Sequence, residues 1–169
     1  MSNTVNLAEK FAHSEKFKFL FQDGMSLVEE SAAYLDGKGR ENAKGLPRAS
    51  AMLYGSESMR LTTRLMQLAS WLLLQRAVNE GEMNREQILE EKKKIKLNDT
   101  HDSSDNPSWK DLPVDFIELV TRSLSLQNRV MKLDAELYGS NLDKSEMVVS
   151  NPVNQQIDLL STAFGAIKQ

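Results

Sequence analysis

The chain has 169 residues, 40% of them hydrophobic and 27% charged, with a formal net charge of −3 and a pI near 5.5. That length supports one domain with a real core, and the acidic balance argues against a nucleic-acid binder, which needs a basic surface to meet phosphates. Cysteine is absent, which excludes disulfides, thiol catalysis and thiolate metal sites and fits a reducing cytoplasm.

The opening stretch MSNTVNLAEKFAHSEKF has no basic segment followed by an apolar one, so no signal peptide is expected. A first helix is predicted from Ser14 to Asp36, where Phe17, Leu20, Phe21, Gly24, Leu27, Val28, Ser31, Tyr34 and Leu35 recur at three- and four-residue spacing. Ser14 is suited to cap its start and Gly37 to stop it. Gly24 lies on the apolar face, where a missing side chain lets another helix come close. Residues 37–45, GKGRENAKG, read as a polar turn.

The second helix is predicted from near Pro47 to about Asn79, with Gly81 ending it. It holds the most apolar run of the chain, SMRLTTRLMQLASWLLLQRAV, which Arg60, Arg64 and Arg76 interrupt. The uncharged part extends only from Leu65 to Gln75, whereas a membrane span needs about 20 apolar residues. Two apolar lines run along this helix. Met52, Ser56, Met59, Thr63, Met66, Ser70, Leu73 and Ala77 alternate large and small, and a stripe of this kind is more often core than contact surface. Leu61, Leu65, Leu68 and Leu72 form the other line, roughly 150° away at about 100° per residue. Two nearly opposite stripes mean burial on two sides, so one side is expected in the bundle core and the leucine line is the candidate dimer interface.

Asn84 and Gln87 have capping-box spacing before a short helix that ends in KKKIK. Residues 98–111 read as a polar loop. A third long helix is predicted from near Pro113 to Tyr138, with Phe116, Leu119, Ser123, Leu126, Val130, Leu133 and Leu137 on one stripe and Gly139 as its stop. No strand pattern or internal repeat is present. The expected fold is all-α: a three-helix bundle with a short extra helix over residues 1–138, then a C-terminal tail over 139–169 that is flexible or carries one amphipathic helix. In that tail Asn151 can cap and Pro152 can open a helix on which Val153, Ile157, Leu160, Phe164 and Ile167 line up. Ile157, Leu160 and Phe164 are candidate partner contacts of the helix-in-groove kind.

Catalytic patterns are missing. There is no glycine-rich phosphate loop and no nucleophile elbow. Asp99, His101, Asp102 and Asp105 imitate a metal cluster, but their spacing fits no zinc or EF-hand pattern, and a solvated loop is the better reading. The adjacent carboxylates Glu29–Glu30 and Glu90–Glu91 point about 100° apart and do not face each other. No enzyme activity, cofactor or metal is expected. Arg60, Arg64, Gln67 and Trp71 line one flank of the second helix, with Glu57 one turn before Arg60. This set is a candidate partner surface, because arginine and tryptophan are frequent binding hot spots. It is weighed against an internal ion-pair network beside a half-buried tryptophan.

The segments DGMSLVEESAAYLDGKGR (23–40) and YGSESMRLTTRLMQLASWLLLQRAVNEGEM (54–83) resemble the bacterial family of the regulator of CtrA degradation. The resemblance covers roughly residues 14 to 138, and the loop and tail carry little of it. It implies a dimeric three-helix bundle acting as a non-enzymatic adaptor. Such an adaptor helps the ClpXP protease degrade cell-cycle regulators, notably the response regulator CtrA. It works with a receiver-domain co-adaptor and, for CtrA, with a cyclic-di-GMP-binding partner. It also implies a cytoplasmic protein, with recruitment to a cell pole as an extension of the same likeness. The tail ends in Ile-Lys-Gln and not in paired alanines, unlike the simplest ClpX recognition tag. The alternative is a ligand-sensing regulator holding a small anion beside Arg60 and Arg64.

Overall fold

The computed structural model describes residues 2–99 and 101–149, with the side chains of residues 13–99 and 101–139. It is all-helical: α1 (Ser2–Asp36), α2 (Lys38–Lys44), α3 (Arg48–Asn79), α4 (Arg85–Lys94) and α5 (Val114–Val149), with a short 3-10 turn at Trp109–Asp111. Two compact units divide the chain, Met1–Met131 and Lys132–Gln169.

In the first unit α1, α3 and α5 surround one core. Tyr34 stacks on Phe116, Glu30 pairs with Arg122 at 2.7 Å and Asp23 with Arg129 at 2.9 Å, so α1 and α5 run antiparallel. Tyr54 meets Phe116 and Arg64 meets Ser123, so α3 runs parallel to α5. Phe17, Leu20, Leu27, Leu61, Leu65, Leu68, Trp71, Leu72, Phe116, Leu119, Leu126 and Val130 are buried between them. Each large apolar side chain buried in this way contributes about 1.5–3 kcal/mol. Gly24 has the role its position suggested. A Cβ there would run into the Leu72 side chain and lie 3.6 Å from Leu126, so the missing side chain lets α1 settle against both other helices.

The helix ends agree in part with the expectations. Pro47 stands immediately before α3, one position ahead of the first helical place expected for it; Glu80 follows the helix, and Gly81 takes the left-handed φ of +73° that glycine tolerates. Asn84 and Gln87 form the expected reciprocal capping box at 2.9 and 3.0 Å. Three boundaries differ. α1 begins at Ser2, well before Ser14. The 37–45 segment is not a turn: most of it is α2, held where Gly39 fits beneath Tyr34 and Tyr54. A Cβ on Gly39 would lie 2.7 Å from the Tyr34 carbonyl oxygen. Gly139 does not stop α5, which continues to Val149; a glycine inside a helix costs only about 1 kcal/mol when its flanks are helix formers.

Candidate functional site

Along the flank of α3 that carries Arg60, Arg64, Gln67 and Trp71, residues 95–99 and 101–111 of the same chain bond to Gln67, Arg60 and Glu57, while α5 and α1 meet Arg64 and Trp71. That segment leaves α4 and returns along α3, and its backbone polar groups need partners once they are covered. Gln67 Oε1 accepts from the Lys96 amide at 2.8 Å, and Gln127 Nε2 donates to the carbonyls of Leu97 at 2.7 Å and Asp99 at 2.9 Å. Farther along, the Ser103 hydroxyl donates to Glu57 Oε1 at 2.6 Å and accepts from Arg60 Nη1 at 3.0 Å. Ser50 donates to Asp111 at 3.2 Å.

The charges in this seam balance one another. Glu57 is 1% exposed and takes Arg60 Nη1 at 2.7 Å. Arg64 is buried and donates to Ser123 Oγ at 2.8 Å, while Ser123 donates to the Val120 carbonyl. Burial pushes the Arg64 guanidinium below its ordinary value, and the Glu57 and Asp99 carboxylates partly offset that. It stays cationic at any physiological pH. Trp71 is 2% exposed and packs beside Phe17. The four-residue set proposed as a partner surface is therefore engaged inside the chain: Gln67 and Arg60 pin the returning segment, Arg64 bonds to α5 and Trp71 packs on α1. The internal network is the reading that holds.

The candidate dimer interface is corrected in the same way. Leu61, Leu65, Leu68 and Leu72 are 0, 5, 1 and 0% exposed within the single chain, so they form core and offer nothing to a second subunit. The other line, read from its pattern as core, faces outward: Met52, Met59, Met66 and Leu73 are 69, 73, 65 and 52% exposed. Periodicity alone detects both stripes and cannot say which one turns inward. The usable sign was composition, since the inner line is all leucine and the outer one is interrupted by Ser56, Thr63 and Ser70.

Next to the outward line lies an open groove of about 900 Å³ between α2 and α3, lined by Leu35, Arg40, Lys44, Tyr54, Met59 and Thr63 among others. Arg60 and Arg64 do not line it. His101 lies on the exposed loop with its amide 3.3 Å from Asp99 Oδ1. Among the described residues no three His, Asp or Glu side chains come together as a metal set, and no helix is long and apolar enough to cross a membrane. Ile157, Leu160 and Phe164 lie outside the described residues.

This architecture has a solved counterpart. The chain is similar to RcdA from Caulobacter crescentus CB15, whose crystal structure it matches at 47% sequence identity over 75% of this chain and 94% of that one, with a TM-score of 0.61. No curated protein matches. The model of the family described as "Protein of unknown function (DUF1465)" matches residues 8–164. The chain therefore belongs to this family, the one that contains the regulator of CtrA degradation.

Proposed function

We infer that this protein is a non-enzymatic adaptor that brings response regulators of the CtrA type to the ClpXP protease. The 47% identity to RcdA carries the reading, because it extends over nearly the whole of that chain. The outward methionine line supports it. Methionine is unbranched and polarizable, and on a surface it suits contact with protein partners of varied shape. Tethering is the mechanism. Holding cargo beside the unfoldase raises its effective concentration and lets a weak degradation tag be engaged, with no bond chemistry required of the adaptor. A receiver-domain co-adaptor, a cyclic-di-GMP-binding partner and a homodimeric adaptor belong to the same proposal, as does a cytoplasmic location with recruitment to a pole.

CtrA turnover in extract of the source organism lacking this protein tests the reading, since extract supplies the co-adaptors. Adding back purified protein is expected to speed ATP-dependent loss of CtrA. Unchanged CtrA decay with folded protein present would remove CtrA as the cargo and the adaptor assignment with it.

A further inference from the structure

α3 contains a single glycine, Gly55, two turns from its start. Glycine weakens a helix interior because it loses more backbone freedom on folding than any other residue. At Gly24 and Gly39 the reason for a missing side chain is visible, since neighbouring atoms occupy the space of a Cβ. At Gly55 a Cβ would meet nothing within 4 Å, and the residue is exposed. No described part of the chain therefore requires a glycine there. Gly55 lies instead on the open groove between α2 and α3, together with the half-buried Leu35 and the buried Tyr54. A glycine on a groove wall lets an incoming element come close to the backbone.

We propose that this groove receives an acidic amphipathic helix of a protein partner, with its closest approach at Gly55. The inference deepens the adaptor reading and rests on it for the class of partner, a protein. Two features of the walls select the chemistry. The first is charge. Arg40 and Lys44 line the groove and, among the described residues, no carboxylate does. Each cation has a carboxylate nearby, Arg40 with Asp36 at 3.6 Å and Lys44 with Glu41 at 3.0 Å. All four of these side chains are at least 71% exposed, so the pairs are weak and exchange readily for carboxylates of a partner. The chain as a whole carries −3, so a cation-lined groove runs against its overall balance and sorts partners by sign.

The second feature is how little hydrogen bonding the walls offer. The Ser58 hydroxyl donates to the Tyr54 carbonyl at 2.7 Å, and the Thr62 hydroxyl donates to the Ser58 carbonyl at 2.8 Å. Both protons are used within α3. An extended peptide would bring a row of unpaired N–H and C=O groups against walls that are themselves helices. A helix brings none along its length, because its backbone bonds are internal, and it meets the walls with side chains alone. Leu35, Tyr54 and Met59 give its apolar face a surface, while its carboxylates reach Arg40 and Lys44. Packed helix axes lie about 8–10 Å apart depending on the side chains between them, and Gly55 is where α3 allows the short end of that range.

Fluorescence anisotropy on the full-length protein tests this. The probe is a labelled helical peptide of about 14 residues, with leucines at i, i+3, i+4 and i+7 and glutamates elsewhere. Its twin carries lysines in place of the glutamates. The acidic peptide is expected to bind about tenfold more tightly than the twin, and Arg40→Glu with Lys44→Glu to reverse that preference. Gly55→Leu is expected to weaken the acidic peptide about tenfold while raising the melting temperature by about 2–4 °C. It fills space that is free in the single chain and improves the helix. Higher stability with lower affinity is the signature of a glycine kept for a partner. Equal binding of the two peptides, or no binding of either at about 1 mM, would overturn the proposal. So would a Gly55→Leu chain that binds as the parent does, or one that melts lower. A groove filled by a second copy would also overturn it, seen as a light-scattering mass that falls in Gly55→Leu while neither peptide binds. CtrA turnover decides the adaptor role separately: a chain that speeds CtrA loss without binding the acidic peptide keeps that role and loses this groove.

Discussion

Tyr54 shows how one side chain can be placed for its ring and not for its hydroxyl. The ring packs 4.6 Å from Phe116, at the point where α3 and α5 meet. Its Oη is buried with no hydrogen-bond partner, and the nearby Ser58 hydroxyl is turned to the Tyr54 carbonyl at 2.7 Å. Burial raises the phenol above its ordinary value of 10.0. The sign follows: the folded chain keeps that proton to higher pH than the unfolded chain. The associated stability is whole below about pH 10 and is lost as the pH climbs through the folded-state value. Tyr54→Phe keeps the ring and removes the unsatisfied group. It is expected to unfold in urea at pH 7 with unchanged stability or a gain of up to about 1 kcal/mol, and to lose less stability above pH 10. A loss of more than about 1 kcal/mol at pH 7 would show that the hydroxyl has a partner after all.

At the scale of elements, the returning segment 95–111 depends on a few side chains more than on its own structure. Gln127 supplies two bonds to it from the buried side of α5. Gln127→Ala would leave the Leu97 and Asp99 carbonyls unpaired and is expected to cost about 2–3 kcal/mol. Hydrogen exchange should quicken over residues 95–103 while α1 and α3 keep their protection; uniform quickening would mean that the segment and the bundle unfold as one. This segment also marks the limit of what the sequence discloses. Pro47, Gly81 and the Asn84–Gln87 box announce their helix ends because caps are local chemistry. The spacing of Arg60, Arg64, Gln67 and Trp71 is equally visible. Their partners Ser103, Ser123 and the Lys96 amide are not, because they arrive from distant parts of the chain. α2 was hidden for a related reason: its glycines read as a turn, yet Gly39 is there to fit under two tyrosines.

For the whole molecule, α3 is both wall and core, and two substitutions two residues apart separate those roles. Leu68 is 1% exposed and Met66 is 65% exposed. Glutamate at position 68 would bury a charge with no partner among leucines, a loss of more than about 4 kcal/mol and a large share of a small domain's stability. In the single chain glutamate at position 66 remains in water and is expected to change its stability by no more than about 0.5 kcal/mol. Thermal melts followed by circular dichroism should therefore show Leu68→Glu largely unfolded and Met66→Glu melting as the parent does. If the methionine face is the one through which this protein works, Met66→Glu should also fail to speed CtrA loss while staying folded. That combination, an intact bundle with no activity, is what a contact surface predicts and a core position cannot give. A Met66→Glu chain that is folded and fully active would take the outward line out of the adaptor mechanism. One that unfolds like Leu68→Glu would mean that the face is covered within the folded chain.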